Sequence, residues 1–361
     1  RPFGIAINPS SNIGYVTSFI NYEVEVYDLN NQQLITTIPT QRGPRTPNLN
    51  LGNQTLITPD LLDKSFTVIE TATNTVKGTF VTGNFPEIAV FSPTKNNEAY
   101  GLIAGSDYKF FIFDTQNMNI VKEILMPLTD LNGDLKITPD GTKAVIPNSQ
   151  FVGSNFLTII DLTTQTINAS IPVPNRIRKL EMNDSGDRVW ASFEGSNQII
   201  EFDLINGMIL NSFPVAGGPQ KLALIDNENK ILVLSPGSAT TNIYDVSTGT
   251  LEKQMTTYGL FQGVPGSDIS ILDEINTAVV SGPLTDELYI IDIDAQSPNF
   301  GTIIETIPIA GFPTHIEVNP VTNKIYVTSW LSNQVTELSY PTARDLEGVL
   351  PDLIDALNDI S

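Results

Sequence analysis

His315 is the only histidine in the chain and lies two residues before Glu317. On a β-strand that spacing turns both side chains to one face. An imidazole titrates near neutral pH, so the two could act as a base and an acid in proton transfer. Asp134 and Asp268 add hard oxygen ligands of the kind a divalent cation takes. Within Asp130-Leu-Asn-Gly-Asp134 three oxygens stand at the 1, 3, 5 spacing of a calcium loop, but Leu135 and Gly141 occupy the positions of its glycine and bidentate glutamate. Other chemistry is missing from the pattern. There is no Gly-x-Ser-x-Gly string in a strand–turn–helix context, and no glycine-rich phosphate loop follows a strand. With no cysteine, thiolate zinc, iron–sulfur clusters and cysteine nucleophiles are excluded. The expected cofactor set is empty, and His315 and Glu317 are candidates only under an enzymatic reading.

A second chemistry lies in the arginines. The chain has 361 residues, 19 Lys+Arg against 40 Asp+Glu and a net charge of −21. Such a surface disfavours nucleic acid and anionic membranes, both of which need Lys/Arg clusters. No apolar run approaches the ~20 residues of a membrane span. Yet Arg1, Arg42, Arg45, Arg176 and Arg178, five of the seven arginines, fall in a small set of loops. A planar guanidinium fork suits a carboxylate or phosphate.

The elements that position these residues follow from an internal repeat. Residues 7–18 read INPSSNIGYVTS, and residues 318–329 read VNPVTNKIYVTS. An apolar anchor recurs at Ile7, Leu51, Val90, Ile137, Met182, Leu224, Ile271 and Val318, in steps of 39 to 47 residues. A second recurs at Asp28, Glu70, Asp114, Asp161, Asp203, Asp245, Asp292 and Ser339. Each copy reads as four short strands, in the first copy Gly4–Asn8, Gly14–Ser18, Tyr22–Asp28 and Leu34–Ile38. These runs are rich in Val, Ile, Thr and Tyr and bounded by Asn, Gly, Pro and Asp, with no helical period. A four-stranded unit repeated every 40–50 residues predicts an all-β protein, a β-propeller. One small sheet leaves two apolar faces bare, and a ring of sheets buries both.

The count predicts eight blades of four antiparallel strands, the last lacking its outer strand unless one is supplied from upstream; seven blades is the alternative. The propeller spans residues 1–340. A tail, 341–361, carries Leu346, Val349, Leu350, Leu353, Ile354 and Leu357 at helical spacing and predicts an amphipathic helix. The chain opens at Arg1 rather than Met, so a trimmed N-terminus is expected.

The Asn-Pro-x-Thr/Ser-Asn-x-x-Tyr-Val-Thr string at residues 8–17 and 319–328 resembles the YVTN-type β-propeller repeat family. Copies one and eight match it closely, while copies two to seven keep the strand pattern without the letters. The resemblance implies a surface-layer or secreted scaffold, with relatives among lactonases, lyases and haem or quinone enzymes. The imidazole-rich sites of the metal and haem relatives are lacking.

In a propeller the loops entering the innermost strands open on the channel face. Here they are residues 1–3, 40–47, 82–87, 127–134, 173–178, 216–220, 259–268 and 310–315. On the inner strands one parity is apolar, and the other carries Glu87, Asp134/Lys136, Lys179/Glu181, Lys221, Asp268 and His315/Glu317. Alternation turns this polar set toward the channel. Two readings of the cations stay open. Arg42, Arg45, Arg176, Arg178 and Lys221 either bind an anionic small molecule or acidic peptide, or they pair with Glu87, Asp130, Asp134 and Asp268 across neighbouring blades. The expectation is a non-enzymatic, extracytoplasmic scaffold that binds a protein or an anionic small molecule, with neither nucleic-acid binding nor membrane insertion. The alternative is a lactonase- or lyase-like enzyme at the channel mouth, with Asp134 and Asp268 as metal ligands. The aspartates that precede each third turn have a structural role, accepting hydrogen bonds from the turn's own backbone.

Overall fold

The structure, a computed structural model, describes residues 1–105, 107–126, 134–148, 154–193, 195–257 and 268–339. It contains eight antiparallel sheets, each a plain meander from inner to outer strand. Blade one comprises Pro2–Asn8, Ile13–Ser18, Glu23–Asp28 and Gln33–Pro39. Blades two to seven repeat this pattern, their inner strands opening at Asn48, Phe85, Lys136, Leu180, Lys221 and Ile269. Among the described residues, blade eight has three strands, Pro313–Asn319, Lys324–Ser329 and Gln334–Ser339. The ring is therefore eight-bladed, not seven. The helix expected over 341–361 and the loop residue Asp130 lie outside the described residues.

The core lies between blades rather than within them. Tyr100, Leu102 and Phe110 of blade three pack with Ala144, Ile146 and Ile160 of blade four. Val145, Leu157 and Ile171 of blade four pack with Ala191, Phe202 and Leu204 of blade five. In blades two to seven the second and third strands are almost wholly buried, whereas outer strands such as Thr75–Val81 and Met208–Pro214 are mostly exposed with one buried position.

The turns obey the predicted chemistry. Asp161 Oδ1 accepts from the N–H groups of Thr163 and Thr164, both at 2.8 Å. Asp203 does the same with Ile205 and Asn206, at 2.7 and 2.9 Å, and Gly207 closes that turn at φ +65°. These backbone donors hold the Asp161 and Asp203 carboxyls below the usual range.

Two sequence anchors are corrected. Leu51 is an exposed turn residue, and Leu49 takes the position of Ile7, because blade two's inner strand is only Asn48–Asn50. In blade three Phe91, not Val90, is the equivalent of Ile7. Ile88 and Val90 stand at the positions of Gly4 and Ala6 and pack toward blade four, while Ala89 and Phe91 stand at those of Ile5 and Ile7 and pack toward blade two.

Candidate functional site

The loops entering the inner strands and the turns between second and third strands share one face, tied by backbone hydrogen bonds. Phe19 N donates to Arg1 O at 2.9 Å, Leu61 N to Gly43 O at 2.9 Å, and Leu331 N to Gly311 O at 2.9 Å. On this face Phe3, Phe19 and Trp330 form a three-ring cluster with centroids 5.8 to 5.9 Å apart. The Arg45 guanidinium stands 5.4 Å over Phe3, and that of Arg1 stands 5.6 Å over Trp330. All three rings are half-buried. This leaves an aromatic platform with cations above it, a favourable quadrupole contact.

The neighbouring cations are held by carboxylates. Arg45 Nη1 donates to Glu87 Oε2 at 2.7 Å, and the Glu87 side chain is only 4% exposed. Arg42 meets Asp63 through Nε and Nη2, both at 2.7 Å, and through its backbone N–H at 2.8 Å. Beneath this loop Asp60 is fully buried. It accepts from Thr67 Oγ1 at 2.6 Å, and its Oδ1 has no partner among the described residues. Burial pushes its carboxyl up to about 8, so it is largely protonated at neutral pH.

The polar parity of the inner strands lines the channel, with charge confined to one arc. At the position of Gly4 stand Thr46 of blade two and, in blades four to eight, Asp134, Lys179, Lys221, Asp268 and His315. One residue pair further along, at the position of Ala6, stand Lys136, Glu181 and Glu317, against Asn48 and Val90 of blades two and three.

Neighbouring blades join across this arc. Lys136 Nζ donates to Glu181 at 2.9 Å, Lys221 Nζ to Asp268 Oδ1 at 2.6 Å, and Lys179 Nζ lies 3.6 Å from Asp134. The carboxylates also brace the backbone of the next blade: Asp134 Oδ2 accepts from Leu180 N at 2.8 Å, and Asp268 Oδ2 from Ile316 N at 3.2 Å. His315 Nδ1 donates to Asp268 Oδ2 at 2.9 Å, while Nε2 faces Glu317 at 3.9 Å.

Desolvation opposes ionisation throughout the arc, and the pairs decide the outcome. Burial would raise Asp268, but Lys221 and His315 hold it far below the usual range. Burial would lower His315, but the hydrogen bond and charge of Asp268 raise it. Glu317 is raised by burial, and burial wins at Lys179, which is lowered. The fixed tautomer, with Nδ1 protonated toward Asp268, leaves Nε2 as the imidazole's basic nitrogen.

Of the residues singled out from sequence, the structure pairs Arg45 with Glu87 and Lys221 with Asp268, and brings Asp268, His315 and Glu317 together. Asp134 and Asp268 are on blades four and seven, each with its own lysine. Among the described residues no three acidic or imidazole side chains converge as a metal-holding group. Arg176 and Arg178 lie on the loop entering blade five, where Arg178 N donates to Ser192 O at 2.8 Å. The aromatic cluster was missed, although the strings YVTSF and YVTSW, at residues 15–19 and 326–330, place two of its rings at one repeat position.

No protein-family model and no curated protein matches the sequence. The YVTN resemblance therefore rests on its residue strings. Solved structures do match. A structure titled "Kuenenia stuttgartiensis Hydrazine Synthase" aligns with 94% of this chain and 96% of its own at TM-score 0.65 and 14% identity. "Dihydro-heme d1 dehydrogenase NirN in complex with DHE" aligns with 93% of this chain and 75% of its own, at TM-score 0.71 and 12% identity. The Cps50 (Swd1) β-propeller domain of Myceliophteria thermophila aligns with 80% and 95%, at 0.58 and 11%. The chain is an eight-bladed β-propeller, similar in fold to all three. At these identities the likeness concerns fold alone.

Proposed function

We propose that this protein is a non-enzymatic, extracytoplasmic binding scaffold of the YVTN type, whose loop face takes a peptide segment of a partner protein. One observation carries the reading: Phe3, Phe19 and Trp330 form a half-buried aromatic cluster at the channel mouth, with guanidinium groups standing over it. Aromatic and arginine side chains dominate the energy of protein contacts, because they bury large areas while losing few rotatable bonds. The rim also bears on the acidic-ligand expectation. Asp63, Glu87 and Asp268 already pair with Arg42, Arg45 and Lys221, so an acidic group binding at any of these three cations would have to displace a carboxylate.

The two tryptophans make the test direct. Trp190 is 2% exposed, so a change in indole emission on adding a peptide reports Trp330. Peptides selected from a random displayed library should shift that emission and lose at least tenfold in affinity on Phe19→Ala. Selected peptides that bind Phe19→Ala and Trp330→Ala as tightly as the parent would sink the assignment.

A second reading has its own support in the Asp268–His315 pair, which points a basic Nε2 into the channel beside Glu317. It is the lactonase- or lyase-like enzyme. Turnover of a lactone panel that is abolished by His315→Gln would establish it in place of the scaffold.

A further inference from the structure

The third strands of blades one and four to seven end in an aspartate, and the residue after it closes the junction with the preceding blade. Leu29, Leu162, Leu204, Val246 and Ile293 hold this position, each at most 7% exposed. Leu162 packs with Tyr100 and Leu102 of blade three, and Leu204 with Val145 and Leu157 of blade four. Blades two and three carry threonine there, Thr71 and Thr115. Blade three replaces the lost volume with Met118, which packs against the cluster holding Phe80 of blade two; its Cε lies 2.7 Å from where a Cβ on Gly78 would stand. Blade two has Asn74 at that turn position, with the same left-handed backbone, φ +53° against +54°.

The junction of blades one and two is therefore a cleft of about 440 Å³, on the face opposite the channel mouth. Sites for small molecules span roughly 300–1,000 Å³. Tyr15 and Val26 form its buried floor, and amides and hydroxyls its walls: Asn8, Ser10, Gln54, Thr71 and Asn74. None of its lining side chains is charged, in a chain with 40 acidic residues. Two of the amides have bonding capacity to spare. Asn8 Oδ1 accepts from the N–H groups of Ser10 and Ser11 at 3.1 and 3.3 Å, which leaves Nδ2 as a donor. Asn74 Oδ1 is buried and accepts no hydrogen bond among the described residues, so it calls for a donor from a ligand.

We propose that this cleft binds a short neutral saccharide. Sugar hydroxyls donate and accept at once, which matches walls of amides and hydroxyls. The C–H faces of a sugar ring suit Ile35 and Leu51 at the edge, which are about half exposed. An anionic ligand meets no cation here, and a purely apolar one would leave Asn74 Oδ1 buried and unpaired. Residues 340–361 of the chain itself do not have this chemistry, since they bear the carboxylates Asp345, Glu347, Asp352, Asp355 and Asp359. The cleft is remote from the channel mouth, so its ligand does not depend on the reading given there.

The test applies the labelled intact protein to an array of immobilised neutral, sialylated and sulfated glycans, with free disaccharides as competitors. Neutral glycans should be retained and acidic ones washed away, and the free disaccharide matching the bound terminus should compete. Thr71→Leu and Asn74→Met fill the cleft with residues that the repeat itself carries at these positions, as Leu29 and Met118 show. Each should lower affinity at least tenfold while keeping or raising the melting midpoint. The two act through different side chains, so failure of one to fold leaves the other as the test. The proposal is overturned if no neutral glycan is retained, if acidic glycans are retained equally, or if a folded variant binds as the parent does.

Discussion

Asn319 of blade eight donates from Nδ2 to Oδ1 of Asn12 in blade one at 2.7 Å, joining residues 307 apart in sequence. Both are buried, at 0% and 7% exposure. Asn319 Oδ1 meanwhile accepts from the N–H groups of Val321 and Thr322, at 2.9 and 3.3 Å. One side chain thus shapes its own turn and closes the ring. Asn319→Ala leaves Asn12 Oδ1 without this donor and should cost about 1–3 kcal/mol. Asn8→Ala removes the matching turn bonds without a cross-ring contact and should cost less. Urea unfolding of the two variants measures the difference.

The Asp268–His315 pair predicts a defined pH window. Asp268 is depressed below its ordinary 3.8, so its contribution is present above that value and fades as pH falls through the lower folded value. His315 is raised above its ordinary 6.5, so its contribution is full below 6.5 and fades as pH rises through the folded value. Thermal melting against pH should show this decline above 6.5, and His315→Gln should flatten it. Asp268→Asn strands both Lys221 and His315 and should cost about 3 kcal/mol near pH 6.

Asp60 has the opposite sign to a paired carboxylate. Its folded value near 8 lies above its ordinary 3.8, so ionisation favours the unfolded chain and stability falls as pH rises from about 4 to 8. Asp60→Asn keeps an acceptor for Thr67 and removes the penalty. The variant should match the parent near pH 4 and exceed it by on the order of 2–4 kcal/mol at pH 8. Denaturant midpoints at the two pH values decide the matter. A variant less stable than the parent at pH 8 overturns it.

Gly101 sits on the buried second strand of blade three, beneath an aromatic layer. A Cβ there would lie 2.7 Å from Phe113 Cε2 and 2.9 Å from Phe66 Cζ. Those two rings pack with centroids 5.2 Å apart, so neither yields without disturbing the other. Gly101→Ala should therefore destabilise by about 1–3 kcal/mol, despite alanine's better intrinsic fit to regular structure. A lowered calorimetric midpoint confirms it, and an unchanged one refutes it.

The repeat was legible because most copies keep two physical necessities, an alternating inner strand and a turn-forming aspartate such as Asp203, which six of the eight carry. The register slipped at Leu49, in a strand of only three residues, and at Phe91, where Ile88 and Val90 put apolar side chains on the parity that is mostly charged in blades four to eight. For the site, the polar parity pointed to Asp134, Lys221, Asp268 and His315, since period-two alternation survives in blades four to eight. What sequence could not supply was partnership. Whether Arg45 faced Glu87 or a ligand depends on how adjacent sheets are splayed, which no local pattern encodes. The Phe3–Phe19–Trp330 cluster was hidden for the same reason, as its rings come from opposite ends of the chain.

Eight sheets cast in one mould are interchangeable in principle, and neighbour mismatching is a known failure of repeat chains. The boundaries here are not alike: Lys136 meets Glu181, Lys221 meets Asp268, Arg45 meets Glu87 and Asn319 meets Asn12. Exchanging blades five and seven would set Asp134 beside Asp268 and Lys179 beside His315. The bore thus serves as an address book for assembly, in which each sheet carries a polar label that only its proper neighbour can read.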